Sequence, residues 1–183
     1  MSKINCLPVM AALVAALTFV ITAGTTLAAN TKHYTEKEGF ERKSIDILNT
    51  LKDNEVTRFM TLRDGLVQAF DLDKTVKNKG PFTMLAISDD AFKRFPADDL
   101  SSLFSNKKKL RQVLEYCIID GKFSSSELLN KKKVKTMEGS EVTFSKVGDN
   151  IFADKALIKV TDIPCSNGVI HVLDAVIMPA LKK

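Results

Sequence analysis

The apolar run from Phe82 to Ile87 constrains this chain more than any other stretch, because both of its ends carry signals of their own. A short apolar run bounded by turn residues suits a strand buried on both faces. Gly80-Pro81 in front of it is turn punctuation. Behind it, Ser88 has the chemistry of a helix N-cap, and Asp89 and Asp90 fall in the first turn, where carboxylates complement the helix dipole. The segment therefore reads as a buried strand feeding directly into a capped helix, which Pro96 ends.

Around this unit the apolar periodicity changes character along the chain. Ile45, Leu48 and Leu51 recur at helical spacing, as do Phe59, Leu62, Leu66 and Phe70, and they predict two amphipathic helices with core-facing stripes. Lys77 to Pro81 reads as a turn. Asp98-Asp99 starts a further helix carrying Leu100, Leu103 and Phe104. From Lys109 to Ile119, Leu110, Val113 and Leu114 give way to the β-favouring Tyr116, Ile118 and Ile119.

Strand signals dominate beyond that point. Val142 and Phe144 alternate with Thr143 and Ser145; further strands are expected at Ile151-Phe152, at Leu157 to Thr161 and at Val169 to Ile177. The last is entered through Ser166-Asn167-Gly168, where Asn167 and Gly168 permit a tight turn, and is closed by Pro179. Alternation puts Val169, His171 and Leu173 on one face and Ile170, Val172 and Asp174 on the other. Helices first and short strands later predict an α+β domain with a β-sandwich-like core. At 183 residues, 45% hydrophobic and 27% charged, one domain can bury such a core without a metal or a disulfide framework.

The N-terminus is of a different kind. Residues 1–28 read as a secretory leader, with Lys3 before an apolar stretch from Val9 to Ala23 and Thr26-Leu27-Ala28 as a small-residue cleavage site. An uncleaved anchor helix is the rival, weakened by Thr18, Thr22, Gly24, Thr25 and Thr26. The expected product is periplasmic or extracellular, starting after Ala28, with residues 29–43 as a polar, partly helical linker and residues 44–181 as the domain. No other stretch is long and apolar enough to span a membrane, and the C-terminus at Leu181-Lys182-Lys183 has no hydrophobic tail for a lipid anchor. In an oxidising compartment Cys117 and Cys165 would either pair or stay as two buried thiols.

Three stretches together resemble the fasciclin domain. Gly80-Pro81-Phe82-Thr83-Met84-Leu85-Ala86-Ile87-Ser88-Asp89-Asp90-Ala91-Phe92 is similar to that family's first signature. Val113-Leu114-Glu115-Tyr116-Cys117-Ile118-Ile119 stands in the place of its Tyr-His motif. Asn167-Gly168-Val169-Ile170-His171-Val172-Leu173-Asp174, followed by Val176-Ile177-Met178-Pro179, looks like its closing signature. Ile87 replaces the family's usual proline and Cys117 one of its two characteristic histidines. The resemblance implies a fasciclin-like fold, a β-sandwich or wedge with helices mainly in the N-terminal half. Thr83, Ser88, Asp89, Asn167, Gly168 and His171 would be its structural residues. It also implies a non-catalytic adhesion or interaction module that binds surface or matrix proteins, or acidic polysaccharide, with weak self-association and without a cofactor.

The candidate contacts follow from residue chemistry and from that resemblance. In matrix proteins of this family an Asp-Ile pair before the closing signature is implicated in binding, and Asp162-Ile163 occupies that place; Tyr116 matches the second implicated region. An aspartate bonding its own turn is the plainer reading of Asp162. Lys107, Lys108, Lys109 and Arg111, with Lys131, Lys132, Lys133 and Lys135, form two cationic runs suited to a polyanion or simply to solvent. The net charge of +5, two tyrosines and no tryptophan, with no reading motif, exclude a nucleic-acid binder. Two readings from other classes are an envelope protein that binds a small ligand, and a thiol enzyme using Cys117 with His171.

Overall fold

The computed structural model describes residues 32–33, 45–54, 57–70 and 72–179. In chain order these form strand β1 (Lys32–His33), helices α1 (Ile47–Lys52), α2 (Met60–Gln68) and α3 (Leu72–Asn78), and strand β2 (Phe82–Ile87). Helices α4 (Asp89–Arg94), α5 (Ala97–Ser105) and α6 (Lys107–Tyr116) come next, followed by β3 (Ile118–Asp120) and α7 (Ser125–Lys131). The chain closes with β4 (Lys133–Lys135), β5 (Glu141–Val147), β6 (Asn150–Ala153), β7 (Ala156–Cys165) and β8 (Gly168–Leu173). The fold is α+β, with most helices in the N-terminal half. The leader, the linker apart from Lys32 and His33, and the domain's last residues lie outside the described residues. Among the described residues no helix is long and apolar enough to cross a membrane.

The sheet runs β3-β2-β8-β7-β6-β5-β4, with β1 added beside β7. β2 and β8 are its parallel centre, Phe82 facing Gly168 and Ile87 facing Leu173. Every residue of both strands is buried, which is why β2 shows an unbroken apolar run rather than alternation. Ser88 caps α4, its hydroxyl accepting from the Ala91 N–H at 3.3 Å. Ile87, in the position of the family proline, completes the β2 ladder.

Polar side chains tie these central strands to the helices. Asp89 reaches back across sequence, its carboxylate accepting from the N–H groups of Met60 (3.1 Å) and Thr61 (2.9 Å) at the start of α2. That helix begins at Phe59, which has no capping side chain of its own, so Asp89 replaces the missing cap. Asn167 accepts from the Ile47 N–H of α1 at 2.9 Å and donates to the Val76 carbonyl of α3 at 2.8 Å. Its role exceeds turn formation: one amide fixes two helices against the mouth of β8.

Four expectations change. A third helix, α3, occupies Leu72–Asn78; with only Leu72 and Val76 buried, it leaves too short a stripe to register as periodicity. The turn before β2 is correspondingly shorter than Lys77 to Pro81. Ile45 (40% exposed) and Phe70 (59%) lie outside the core stripes, since one precedes α1 and the other follows α2 at φ 54°. The final strand stops at Leu173, because Asp174 turns the chain: its carboxylate accepts from the Leu157 N–H at 2.9 Å, and Arg94 donates to its carbonyl. Within the linker, Lys32–His33 pair parallel with Val160 and Thr161. β6 covers β7 only at Ala156 and Leu157, so that stretch of β7 has a free edge.

Candidate functional site

The two terminal strands of the sheet approach each other. The Met137 N–H, just after β4, donates to the Ile118 carbonyl at the start of β3 at 2.8 Å. Beyond that contact, no ladder joins β3 to β4. An open cleft of about 520 Å³ lies there, lined by Asp120, Phe123, Val134, Lys135, Thr136, Met137 and Gly139. Phe123, Val134 and Met137 form its half-buried apolar lining, while Asp120 and Lys135 are exposed. The Lys131 ammonium lies 5.3 Å from the centre of the Phe123 ring, within cation–π range.

The wall that carries Phe123 is held from the core. Thr83 on β2 donates its hydroxyl to the Gly121 carbonyl (2.8 Å) and accepts from the Phe123 N–H (2.9 Å). His171, beside β2 on β8 and fully buried, lies 3.1 Å by Nε2 from the Phe123 carbonyl. Its Nδ1 accepts from the Asp162 N–H at 3.1 Å, so Nε2 carries the proton and donates to Phe123. Burial lowers the His171 pKa, against the opposing effects of the Phe123 carbonyl and the Asp162 charge, and the ring is neutral.

Asp162 owes its place to a bulge. The β7–β8 register shifts between Val160 and Ile163, and Asp162 sits at φ 61°, a conformation aspartate tolerates better than most residues. Its N–H thus leaves the ladder for His171, and its carboxylate accepts from the N–H (2.8 Å) and hydroxyl (2.6 Å) of Ser125 in α7. Burial raises its pKa, but the two Ser125 bonds outweigh it, and the net shift is downward. Asp162 therefore does more than bond its own turn; it anchors α7. Ile163 beside it is half-buried.

Tyr116 is 3% exposed, its hydroxyl donating to Asp154 Oδ2 (2.8 Å) with the Glu141 carbonyl at 3.1 Å. Burial, then the bond and charge of Asp154, raise its pKa. It fastens the end of α6 to the β5–β6 side and presents no surface. Asp154, a loop aspartate with no motif around it, was not legible as its partner.

Cys117 and Cys165 are both free and buried. Burial, with the Asp154 charge second, pushes the Cys117 thiol up to about 12, and burial likewise raises Cys165, which donates to the Thr50 hydroxyl at 3.3 Å. Cys117 is not brought to His171: the Leu85 N–H bonds to the Cys117 carbonyl on one side, and Leu85 pairs with His171 on the other. Laterally adjacent residues share a sheet face, so the Leu85 side chain stands between thiol and imidazole. We expect neither cysteine to react with an alkylating agent in the native protein and both to react in denaturant without reductant. Intact mass reads the result, and a species with no free thiol would show a bridge absent from this structure.

The two cationic runs differ in setting. Lys107, Lys108 and Lys109 open α6, and Arg111 is spent on Glu115 at 2.7 Å. Lys131 ends α7, Lys132 is its C-cap at φ 61°, and Lys133 and Lys135 point outward from β4 beside the cleft. Phe123, Val134 and Met137 escaped the sequence reading because each is a lone apolar residue in a polar context. Only the fold assembles them.

A fasciclin domain family model matches residues 57–179. Protein sll1483 of Synechocystis is 36% identical over 63% of this chain and 64% of its own length. Human periostin is 30% identical over 67% of this chain, which accounts for 15% of periostin. Among solved structures, a FAS1 domain pair from the insect cell adhesion molecule fasciclin I superposes with a TM-score of 0.54 at 17% identity. That match covers 75% of this chain and 51% of the pair.

Proposed function

The chain belongs to the fasciclin domain family, and from that premise we propose that it is a non-catalytic interaction module, exported after removal of residues 1–28, that binds proteins or acidic polysaccharide at a cell surface or in the periplasm. The observation that carries this reading is the cleft between β3 and β4, with an apolar lining and Lys131 and Lys135 beside it. A concave apolar surface with Lys131, Lys133 and Lys135 about it, against the single carboxylate of Asp120 in its lining, suits recognition of an anionic partner. The solved relative named as a cell adhesion molecule supports the same class. A protonated Cys117 thiol, separated from His171 by Leu85, supports the non-catalytic part.

Tyr116 and Asp162 contribute indirectly in this reading, by fastening the β5–β6 side and α7; the contacts come from Lys131, Lys133 and Lys135. The test is binding of the protein to cell envelopes, acidic polysaccharide and surface proteins across a salt series. Binding should weaken steeply with salt, and Lys131→Glu with Lys133→Glu and Lys135→Glu should remove it, while the same reversal at Lys107, Lys108 and Lys109 leaves most of it. Salt-insensitive binding, or equal loss from both runs, would move the site away from the cleft.

A further inference from the structure

We infer that the cleft binds a hexuronate residue of an acidic polysaccharide, a sugar ring that carries a carboxylate beside its free hydroxyls. The inference rests on the interaction reading above and names the ligand's chemistry. It starts from charges that do not meet. Asp120, at the end of β3, and Lys135, at the end of β4, line the same open cleft. Among the described residues neither side chain is in an ion pair or a hydrogen bond, with the other or with any third group. Lys131 has only the Phe123 ring, at 5.3 Å, and Lys133 is exposed on β4 two residues before Lys135. Three ammonium groups thus stand about one carboxylate, over an apolar lining of Phe123, Val134 and Met137.

Asp120 selects among anions. A phosphate or a glutamate side chain would satisfy the lysines, but it brings no donor for Asp120 and is repelled there at close range. A neutral sugar would donate to Asp120 and leave the ammonium groups unanswered. A hexuronate does both. Its carboxylate meets the lysines, its ring hydroxyls donate to Asp120 in charge-assisted bonds, and its C–H surface lies on Phe123, Val134 and Met137.

The walls are fixed before any ligand arrives. Thr83 holds the Gly121 carbonyl and the Phe123 N–H, and the Phe123 ring packs so closely on Gly121 that a Cβ there would stand 2.9 Å from its Cε2. On the other wall Thr136 is buried with its hydroxyl donating to the Ser140 carbonyl at 2.9 Å, which sets the turn that carries Met137 and Gly139. Nothing lies within 4 Å of where a Cβ on Gly139 would be, so the cleft is open on that side. Its volume of about 520 Å³ falls within the ~300–1,000 Å³ of small-molecule sites. The ring would rest on this lining beside the Met137–Ile118 bond, with no strand parted and the rest of the polysaccharide leaving toward solvent.

The probe is trigalacturonate, titrated into the isotope-labelled protein. Its methyl ester removes the charge, and N-acetylated, C-amidated triglutamate keeps the charge without the hydroxyls. We expect amide shifts at Asp120 and Lys135 and methyl shifts at Val134 and Met137, with both control ligands binding roughly tenfold or more weakly. Asp120→Ala, at an exposed position, supplies a change of sign. On a plain basic patch, losing a carboxylate strengthens the binding of every anion. With hydroxyls bonded to Asp120, the variant should bind trigalacturonate about tenfold more weakly and triglutamate as well or better. Stronger trigalacturonate binding by Asp120→Ala, equal affinity for either control ligand, shifts confined to lysine side chains, or no shifts would overturn the sugar site. Envelope binding without trigalacturonate binding would leave the interaction reading standing while the sugar site falls. Trigalacturonate binding without any envelope binding would do the reverse.

Discussion

Alanine at position 168 should destabilise the protein by more than about 4 kcal/mol, a large share of the ~5–15 kcal/mol by which a domain is stable. Gly168 opens β8 opposite Phe82 in the parallel centre of the sheet. A Cβ there would overlap the Phe82 carbonyl oxygen and stand 2.9 Å from Ile47 Cδ1. Backbone cannot swing aside like the end of a flexible side chain, so β2 and β8 would have to part. That would also pull the Phe82 N–H from the Asn167 carbonyl, a bond of 3.0 Å. Gly148→Ala is the control: its φ is 60° and nothing lies within 4 Å of the added methyl, so the cost is about 1 kcal/mol of backbone strain. Urea midpoints of the two variants should differ widely. Similar midpoints would mean that the centre of the sheet is not packed as described.

His171→Ala should cost about 3–5 kcal/mol and flatten the pH dependence of stability. The substitution leaves a cavity in the core and strands two buried main-chain groups, the Phe123 carbonyl and the Asp162 N–H. The sign of the pH effect follows from the lowered pKa. An unfolded histidine takes up a proton near its ordinary value of 6.5, and the folded one only at lower pH. As pH falls from 6.5 toward the folded value, the unfolded state therefore binds more protons and the wild type loses stability. Asp162, lowered from 3.8, adds a second loss at more acidic pH, as its carboxylate is protonated off Ser125. Should the variant fail to fold, the wild-type imidazole still answers by NMR: it must remain neutral at pH values where an exposed histidine is charged. Titration at or above 6.5 would contradict the burial and the bonding tautomer. Because His171 holds the loop that carries Phe123, the variant should also weaken whatever binds in the cleft.

Much of the scaffold was legible because its signals are local. The strand Phe82–Ile87, the Ser88 cap, the Asn167-Gly168 turn and the alternating Val142-Phe144 strand each depend on neighbours a few residues away. The α3 helix was missed because its two buried residues sit one turn apart in a polar stretch too short to carry a period. Thr83, Asn167 and His171 stand out in the sequence as structural residues, but their partners Gly121, Val76 and Phe123 are distant in sequence. The sequence around Asp162 suggests a contact residue or a turn former, whereas its carboxylate bonds Ser125, 37 positions away. The cysteine pair shows the same limit from the other side, since composition and compartment leave a bridge open and only placement decides.

The amino-acid order by itself determined the α+β class, the family resemblance, the buried central strand and the two cationic runs. These rest on short-range chemistry: side-chain period, capping and turn geometry. The tertiary structure alone decided that the ends of the sheet approach each other at Ile118 and Met137, that Phe123 and Lys131 meet at the cleft beside them, and that a core histidine holds that wall. The reason is the sheet order. Strands β3 and β4, separated by one helix in sequence, stand at opposite ends of a path through every other principal strand. Whether two such edges face one another depends on the twist and pairing of all the strands between them, and no local window of residues contains that information.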